Sequence, residues 1–529
     1  MPAAWRYNVV NTFQSDLWLH TFSEPEGQLN GLRVKCMRGA GWGGTSAVSA
    51  MGFVRGQSQD FDRWAKEEFC GERWSFKQCL PYFRSLENYS PGIEAEDAID
   101  YDNEIEYAKT IAHYRGFEGP MKVVSGRVLN RKYSKCPYFP AFIRAGVQAD
   151  HKYNPDCNGA EQEGVGWLDW NIADGVRQST SRCYLLQALS RKNLTVISNA
   201  LVSRVFLEDK RAIGVQFTDS TGSECIFLAR NEVILSAGAL NSPQILMLSG
   251  IGDPADLRKV GIKPLHELPG VGRNLQDHIV LGLSYDTRHP EYSYPHCDWK
   301  TINCDWTNQM RSQWETSREG PGVASNIGVT HFFKTNERVF TANMQYVVSN
   351  LRMDTTSDGA IHWKPGMSPV LHSQHPFSCG HLTLRSNNPL DDPIIELNYF
   401  AEPSEIREFI DAFTTVRNVF SQPALAEYVG EELRPGPAVS SDASLEKFIR
   451  ENVRSGAHWS GTCRMGDPDA APTQEAARQL VVDTELRVCG LRGLRVVDAS
   501  VMPSITSGNV MAPIIMVAER AADFISSEY

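Results

Sequence analysis

At 529 residues the chain is too long for one simple core, and its 42% hydrophobic and 22% charged composition leaves no case for disorder. A formal net charge of −11 without any Lys/Arg cluster argues against nucleic acid as a partner, and no apolar run approaches the roughly 18 residues of a membrane span. Twelve cysteines without a C-x-x-C disfavour zinc ribbons and thioredoxin-like redox motifs.

Residues 1 to 30 are polar, aromatic and turn-rich, with neither the basic start nor the apolar stretch of a signal peptide. A short strand is predicted over Leu32 to Lys35, leading into RGAGWGGTSAVSAMGFVRG, in which Gly39, Gly41 and Gly44 satisfy G-x-G-x-x-G. The dinucleotide fingerprint also needs an acidic residue about 20 positions on, at the end of a second strand. Asp60 and Asp62 instead open what reads as a polar helix, so the glycines are taken as a loop that brings backbone close to a large ligand. Ser75 is the expected cap of a helix, FKQCLPYFRSLEN, and residues 88 to 185 read as loops with short elements over a site.

From Asn193 onward LTVIS, ALVSRVFLE, AIGVQF, ECIFLA and EVILSAG read as strands, with Val233 to Ser236 buried on both faces. Ser242 and Pro243 are the expected N-cap and first residue of the next helix; such a junction presents backbone N–H groups to an anion. LPGVGRNLQDH is an amide-rich loop, MQYVVSN and GHLTLRS are strand-like, and Glu402 to Phe420 has helical core spacing. GAHWSGTCRMG is a small-residue loop, LRVVDAS a short strand, and PIIMVAERAADFI a final helix with Asn509 just ahead of its N-terminus. Each candidate alone has an ordinary structural explanation. His458 suits a hydrogen-bonded core histidine, Asn509 a cap, Asp498 a turn former and Cys463 a small buried residue; His278 and His381 stand alone, and no spacing suggests a metal site.

Together the motifs resemble the glucose-methanol-choline (GMC) family of FAD-dependent oxidoreductases. RGAGWGGTSAVSAMGFVRG and GALNSPQILMLSGIG resemble its two signatures, and VGRNLQDH and HWSGTCRMG through VVDASVMPSITSGN to APIIMVAERAADFI follow in the family order. The flavour resembles the insect branch that contains glucose dehydrogenase and ecdysone oxidase. The resemblance implies an α/β fold: a Rossmann-like FAD-binding domain (1–57, 186–280, 450–529), interleaved with an antiparallel-sheet cap and substrate domain (58–185, 281–449). It implies FAD as cofactor, a sugar, sterol or other small alcohol as substrate, and a quinone or oxygen as electron acceptor. His458 and Asn509 are its expected catalytic pair. Arg38, Gly39, Gly43, Gly44, Thr45, Ser49, Ala50 and Met51 fall along the flavin, Val202 on the adenine side, Asp498 and Ala499 near the ribityl-phosphate, and Asn509 and Val510 by the flavin ring.

The family's opening strand-loop-helix with its own G-x-G-x-x-G is expected to be missing, leaving the FAD-binding domain incomplete at its N-terminus. The rival expectation is therefore a truncated, non-catalytic relative or gene-model fragment unable to hold FAD, and a third is a lyase on the same fold. Ser49 in place of Asn, Trp42 in place of a smaller residue and Ala457-His458-Trp459 in place of Tyr-His-Pro are further departures. An extracellular location is the expectation if a signal peptide lies upstream, and sequons at Asn88 and Asn193 would then be open to glycosylation.

Overall fold

A computed structural model of the chain describes residues 18–92, 101–293, 312–355 and 361–529. The turn-rich reading of residues 1 to 30 lies outside these up to residue 17; beyond it β1 (Trp18–Phe22) pairs antiparallel with β2 (Lys35–Gly39). The strand expected over Leu32 to Lys35 thus begins where it was expected to end. After the glycines comes a 3-10 turn, Gly44–Ala47, not a helix, which removes a second condition of the dinucleotide fingerprint.

Helix α1 (Ser58–Lys66) starts at a capping box, in which the Asp60 carboxylate accepts from the Gln57 backbone N–H at 3.1 Å. It buries Phe61 and Trp64 against α2 (Phe76–Leu86), with the Phe61 and Phe83 rings edge to face at 5.4 Å. Ser75 holds the N-cap position of α2 but its hydroxyl turns to Glu72. Asp62 accepts from the Phe76 N–H in its place.

Residues 88 to 185 are more regular than the loops expected. They contain β3 (Glu87–Ser90), its parallel partner β4 (Met121–Ser125), α3 (Tyr138–Gln148), β5 (Gly164–Trp167) and β6 (Asp169–Trp170). Helix α3 is YFPAFIRAGVQ; its exposed face is the short strip Arg144, Val147 and Gln148 near its C-terminal end, too brief and too mixed to make a helical stripe visible.

The strands after residue 200 form as expected: β7 (Leu201–Glu208), β8 (Arg211–Thr218) and β9 (Glu224–Leu228) make an antiparallel sheet. LTVIS forms no strand, and its Leu194 and Ile197 are exposed. β10 (Val233–Leu235) runs parallel to Leu494–Val496, but Ile234 is 43% exposed, so the strand is not buried on both faces. Helix α4 (Asn241–Leu248) starts before the expected N-cap.

β11 (Ile279–Gly282), β12 (Ser284–Thr287), β13 (Ile327–Phe333), β14 (Met344–Thr355) and β15 (Ile361–Ser373) build a large antiparallel sheet. It runs in the order Val429–Arg434, β12, β15, β14, β13, β5, with β11 also on β15. Alternation gives it two faces. Tyr346 packs on Phe142 of α3, whose ring also meets Phe420 of α5 (Pro403–Phe420). On the other face Phe332, Val347 and Val370 join Met51, Leu168 and Trp170 in a second apolar cluster. The chain closes with α6 (Met511–Glu528), packed on α2. Among the described residues no helix is long and apolar enough to cross a membrane, and no group of three His, Cys, Asp or Glu could hold a metal ion.

On the α3 and α5 side, His331 is fully buried among Phe333, Tyr346 and His151, and neither ring nitrogen has a hydrogen-bond partner. Burial, with His151 adding to it, holds its pKa well below the ordinary value. The unfolded chain therefore takes up a proton below pH 6.5 that the folded ring refuses, and stability is lost as pH falls. His331→Phe is expected to be the more stable protein, with the gap widening by up to about 1.4 kcal/mol per pH unit below the unfolded value. Urea unfolding at pH 7 and pH 5 reads this; an equal gap at both would count against the buried neutral ring.

Candidate functional site

His458, Asn509 and His278 come from three separate stretches and meet in one place. Asn509 Nδ2 lies 3.3 Å from His458 Nε2, and His458 Nδ1 lies 2.9 Å from His278 Nδ1. A neutral imidazole has one N–H and one lone pair, so these contacts select a tautomer. The Asn509 amide donates to the His458 Nε2 lone pair. His458 then carries its proton on Nδ1 and donates it to the Nδ1 lone pair of His278. Burial, with His372 adding to it, pushes the His458 imidazole down to about 3. Burial and the neighbouring His458 hold His278 well below the ordinary histidine range. Both rings are neutral at pH 7, and Nε2 of His458 is a proton acceptor aimed at Asn509.

The surrounding loop is held by Asp277. One carboxylate oxygen accepts from the His458 backbone N–H at 2.7 Å, the other from Ser455 Oγ at 2.5 Å and Tyr399 OH at 2.6 Å. Burial pushes this carboxyl up to about 6, opposed by the donors just named. The Trp459 indole N–H donates to Met37 O at 3.1 Å, tying the loop to β2. Ala457, directly before His458, has a φ of 57°, and Met51 a φ of 72°. Left-handed backbone is uncommon for residues with a Cβ, so both ends of the site are held against local preference. Beside Met51, a Cβ on Gly52 would stand 2.9 Å from Asn509 Oδ1 and 3.6 Å from Leu168, which puts the second apolar cluster next to Asn509.

The other expected positions fall on β2 and the glycine loop, on β7, and on the segment after Leu494–Val496. Gly39 donates its N–H to Thr45 Oγ1 at 3.1 Å, closing the glycine loop, and the backbone of Gly43 packs on Ser181. Gly41 and Gly44 have positive φ, and a Cβ at either would meet nothing within 4 Å. The Arg38 guanidinium is buried: Nε donates to Asn241 Oδ1 at 2.8 Å, while Nη1 has no partner. Arg177 braces the loop from behind, donating to Ser49 O at 2.6 Å and Ser46 O at 3.2 Å. Ala50 and Val202 are half-buried, and Ala499 and Val510 are buried. Asp498 is already occupied: it accepts from Gly238 N–H at 2.9 Å, Ser242 Oγ at 2.5 Å and Ser500 N–H at 2.8 Å. It pins the end of β10 to the end of Leu494–Val496.

His278 is expected from sequence to stand alone, and the structure instead seats it on His458, while Asp277 carries no sequence expectation. Nothing in the local pattern of NLQDH marks its histidine, because the partner is 180 residues away. His381 stays outside the site, on a hairpin beside Glu396.

The family description GMC oxidoreductase matches residues 20–280 and again 376–518. An oxygen-dependent choline dehydrogenase of Vibrio vulnificus is 37% identical over 526 residues, covering 99% of this chain and 86% of the relative. Among solved structures, pyridoxine 4-oxidase from Mesorbium loti superposes with a TM-score of 0.80 at 25% identity, covering 100% of this chain and 91% of its own. A formate oxidase of Aspergillus oryzae, studied for FAD modification, gives 0.84 at 22% identity, covering 100% of this chain and 90% of its own. Choline dehydrogenases of bacteria at this identity replace the expected insect glucose dehydrogenase and ecdysone oxidase branch. A family match from residue 20 gives no support to the expectation of a truncated relative.

Proposed function

Because the chain belongs to the GMC oxidoreductase family, an FAD-dependent family that oxidises alcohols on a fold of FAD-binding and substrate domains, we propose that it oxidises the CH–OH group of a small quaternary-ammonium alcohol of the choline class. The observation that carries the chemistry is the Asn509–His458–His278 row, in which Nε2 of a neutral His458 faces the Asn509 amide where an alcohol oxygen would come between them. The relatives' choline dehydrogenase activity and the apolar cluster of Leu168, Trp170 and Phe332 beside Asn509 support the substrate class. A sugar would bring several hydroxyls needing partners to that wall, and neither sugar nor sterol is favoured by the relatives.

The residues present fit FAD. The unfilled room beside Gly41 and Gly44 and the unpartnered Arg38 Nη1 suit close approach of a large anionic group. Arg38, Gly39, Gly43, Gly44, Thr45, Ser49, Ala50 and Met51 are the residues proposed to hold it, together with Val202, Ala499, Asn509 and Val510. Bound FAD supplies the acceptor for the hydride that leaves the alcohol carbon.

The protein's own groups do the rest. The incoming hydroxyl takes the place of Asn509 at the His458 Nε2 lone pair, which accepts its proton. Asn509 Nδ2 then donates to the alcohol oxygen and holds it in line, and His278 keeps the lone pair of His458 on Nε2. The helix dipole of α6, with its positive end at Asn509, favours negative charge developing nearby. Mixed anaerobically with choline, the FAD-loaded protein is expected to lose its yellow colour and yield an aldehyde, and air to restore the colour. Bleaching by glucose but not by choline would overturn the substrate class.

A further inference from the structure

Asn509 is useful only if the turn that carries it is fixed, and the partners of that turn lie far away in sequence. Ser507, two residues before Asn509, donates its backbone N–H to Asp60 Oδ2 at 2.8 Å and its hydroxyl to the same oxygen at 2.7 Å. Asp60 is the third residue of α1 and is 2% exposed. Its Oδ2 also accepts from Gln57 N–H, and the Gln57 N–H is shared with Ser507 Oγ at 3.1 Å. Its other oxygen lies 2.8 Å from His375 Nε2, just past the end of β15. One buried carboxylate therefore joins the start of α1, the turn before Asn509 and the end of the large sheet.

The remaining backbone of the turn is held in the same manner. Gly508 donates its N–H to Gln374 Oε1 at 2.5 Å, and Ile505 to Gln276 Oε1 at 3.1 Å. These are uncharged amides, each with one acceptor oxygen. Asp60 alone accepts two donors of the turn on one atom. Burial opposes its charge, but His375, Arg63 and the Ser507 N–H hold its pKa below the ordinary value.

We propose that Asp60 is a positioning residue for the alcohol-oxidising site, setting Asn509 against His458 through Ser507, with its other oxygen anchored on His375. The inference rests on the function proposed above only for its kinetic readout. In Asp60→Asn one of the two oxygens becomes an NH₂, which must face either the Ser507 donors or His375, and a displacement of about 1 Å at such a site costs on the order of 100-fold.

The test combines two measurements on Asp60→Asn, with Asp62→Asn as control, because Asp62 sits on the same helix but caps α2 instead. In FAD-free protein, the ring ¹⁵N shifts of His458 are expected to move in Asp60→Asn toward those of Asn509→Ala and to stay put in Asp62→Asn. In FAD-loaded protein, choline is expected to reduce the flavin about 10- to 100-fold more slowly at saturation, with its KM and the FAD occupancy little changed. Unmoved His458 shifts would overturn the positioning role; so would a rate loss matched by Asp62→Asn. Because the shifts need neither substrate nor FAD, a failure of choline to react overturns the substrate class and leaves the shifts to decide this inference. If Asp60→Asn does not fold, Ser507→Ala, which removes one donor and keeps the carboxylate, is read by the same shifts.

Discussion

His458→Ala is expected to slow reduction of bound FAD by about 10²- to 10⁴-fold while leaving FAD occupancy unchanged. The size follows from what the residue supplies. Its Nε2 lone pair, which faces Asn509 Nδ2 at 3.3 Å until an alcohol takes that place, is the proposed proton acceptor, and its Nδ1–H is already committed to His278 at 2.9 Å. A neutral ring held at a pKa of about 3 is a modest base in bulk terms, yet it never loses its lone pair in the physiological range. Its contribution is correct placement of an always available acceptor. Occupancy should survive because the surface assigned to FAD is built from Arg38 to Met51, Val202 and residues 499–510. The His458 ring instead packs edge to face on His278 with centroids 5.0 Å apart. Rapid mixing with choline measures the rate, and the absorbance ratio of protein to flavin measures the occupancy. Equal rates in the two proteins would remove His458 from the chemistry.

The physics of the chain explains what could be read in advance. Strands with turn signals between them, the long helix of Pro403–Phe420 and the closing helix were legible because their periodicity is local. Helix α3 was hidden because its exposed strip, Arg144, Val147 and Gln148, is confined to the last turns and includes an apolar residue. The segment LTVIS shows the converse, since β-branched residues without a pairing partner do not make a strand. His458 and Asn509 were found only because several motifs together resemble a family, whereas His278, Asp277 and Asp60 depend on partners more than 120 residues distant. A side chain whose role is to hold another residue has no local pattern of its own. The glycine loop was read correctly as a loop, but its bracing arginine, Arg177, lies far along the chain and carries no motif.

Arg115→Met is expected to cost about 3–5 kcal/mol of stability at pH 7. Arg115 is fully buried, and its guanidinium serves three carboxylates: Nε reaches Glu87 at 2.9 Å, while Nη1 reaches Asp156 at 2.7 Å and Asp169 at 2.8 Å. The face of Tyr89 lies 3.4 Å below it. The other cation of the cluster, Arg55, bonds Glu87 but neither aspartate. Methionine fills much of the volume and leaves Asp156 and Asp169 without their cation. Burial already pushes Asp169 up to about 6 with Arg115 opposing it, so removing the arginine pushes it higher. A carboxyl whose folded pKa lies above its unfolded value of 3.8 destabilises the protein as pH rises through the folded pKa, and the loss is recovered on acidification. The destabilisation measured by urea unfolding should therefore be larger at pH 7 than at pH 5. The reverse order, or a loss below about 1 kcal/mol at pH 7, would mean that the carboxylates find other partners. Asp169 lies between Leu168 and Trp170 of the apolar cluster beside Asn509, so the same substitution should also loosen the wall on which the alcohol is proposed to rest.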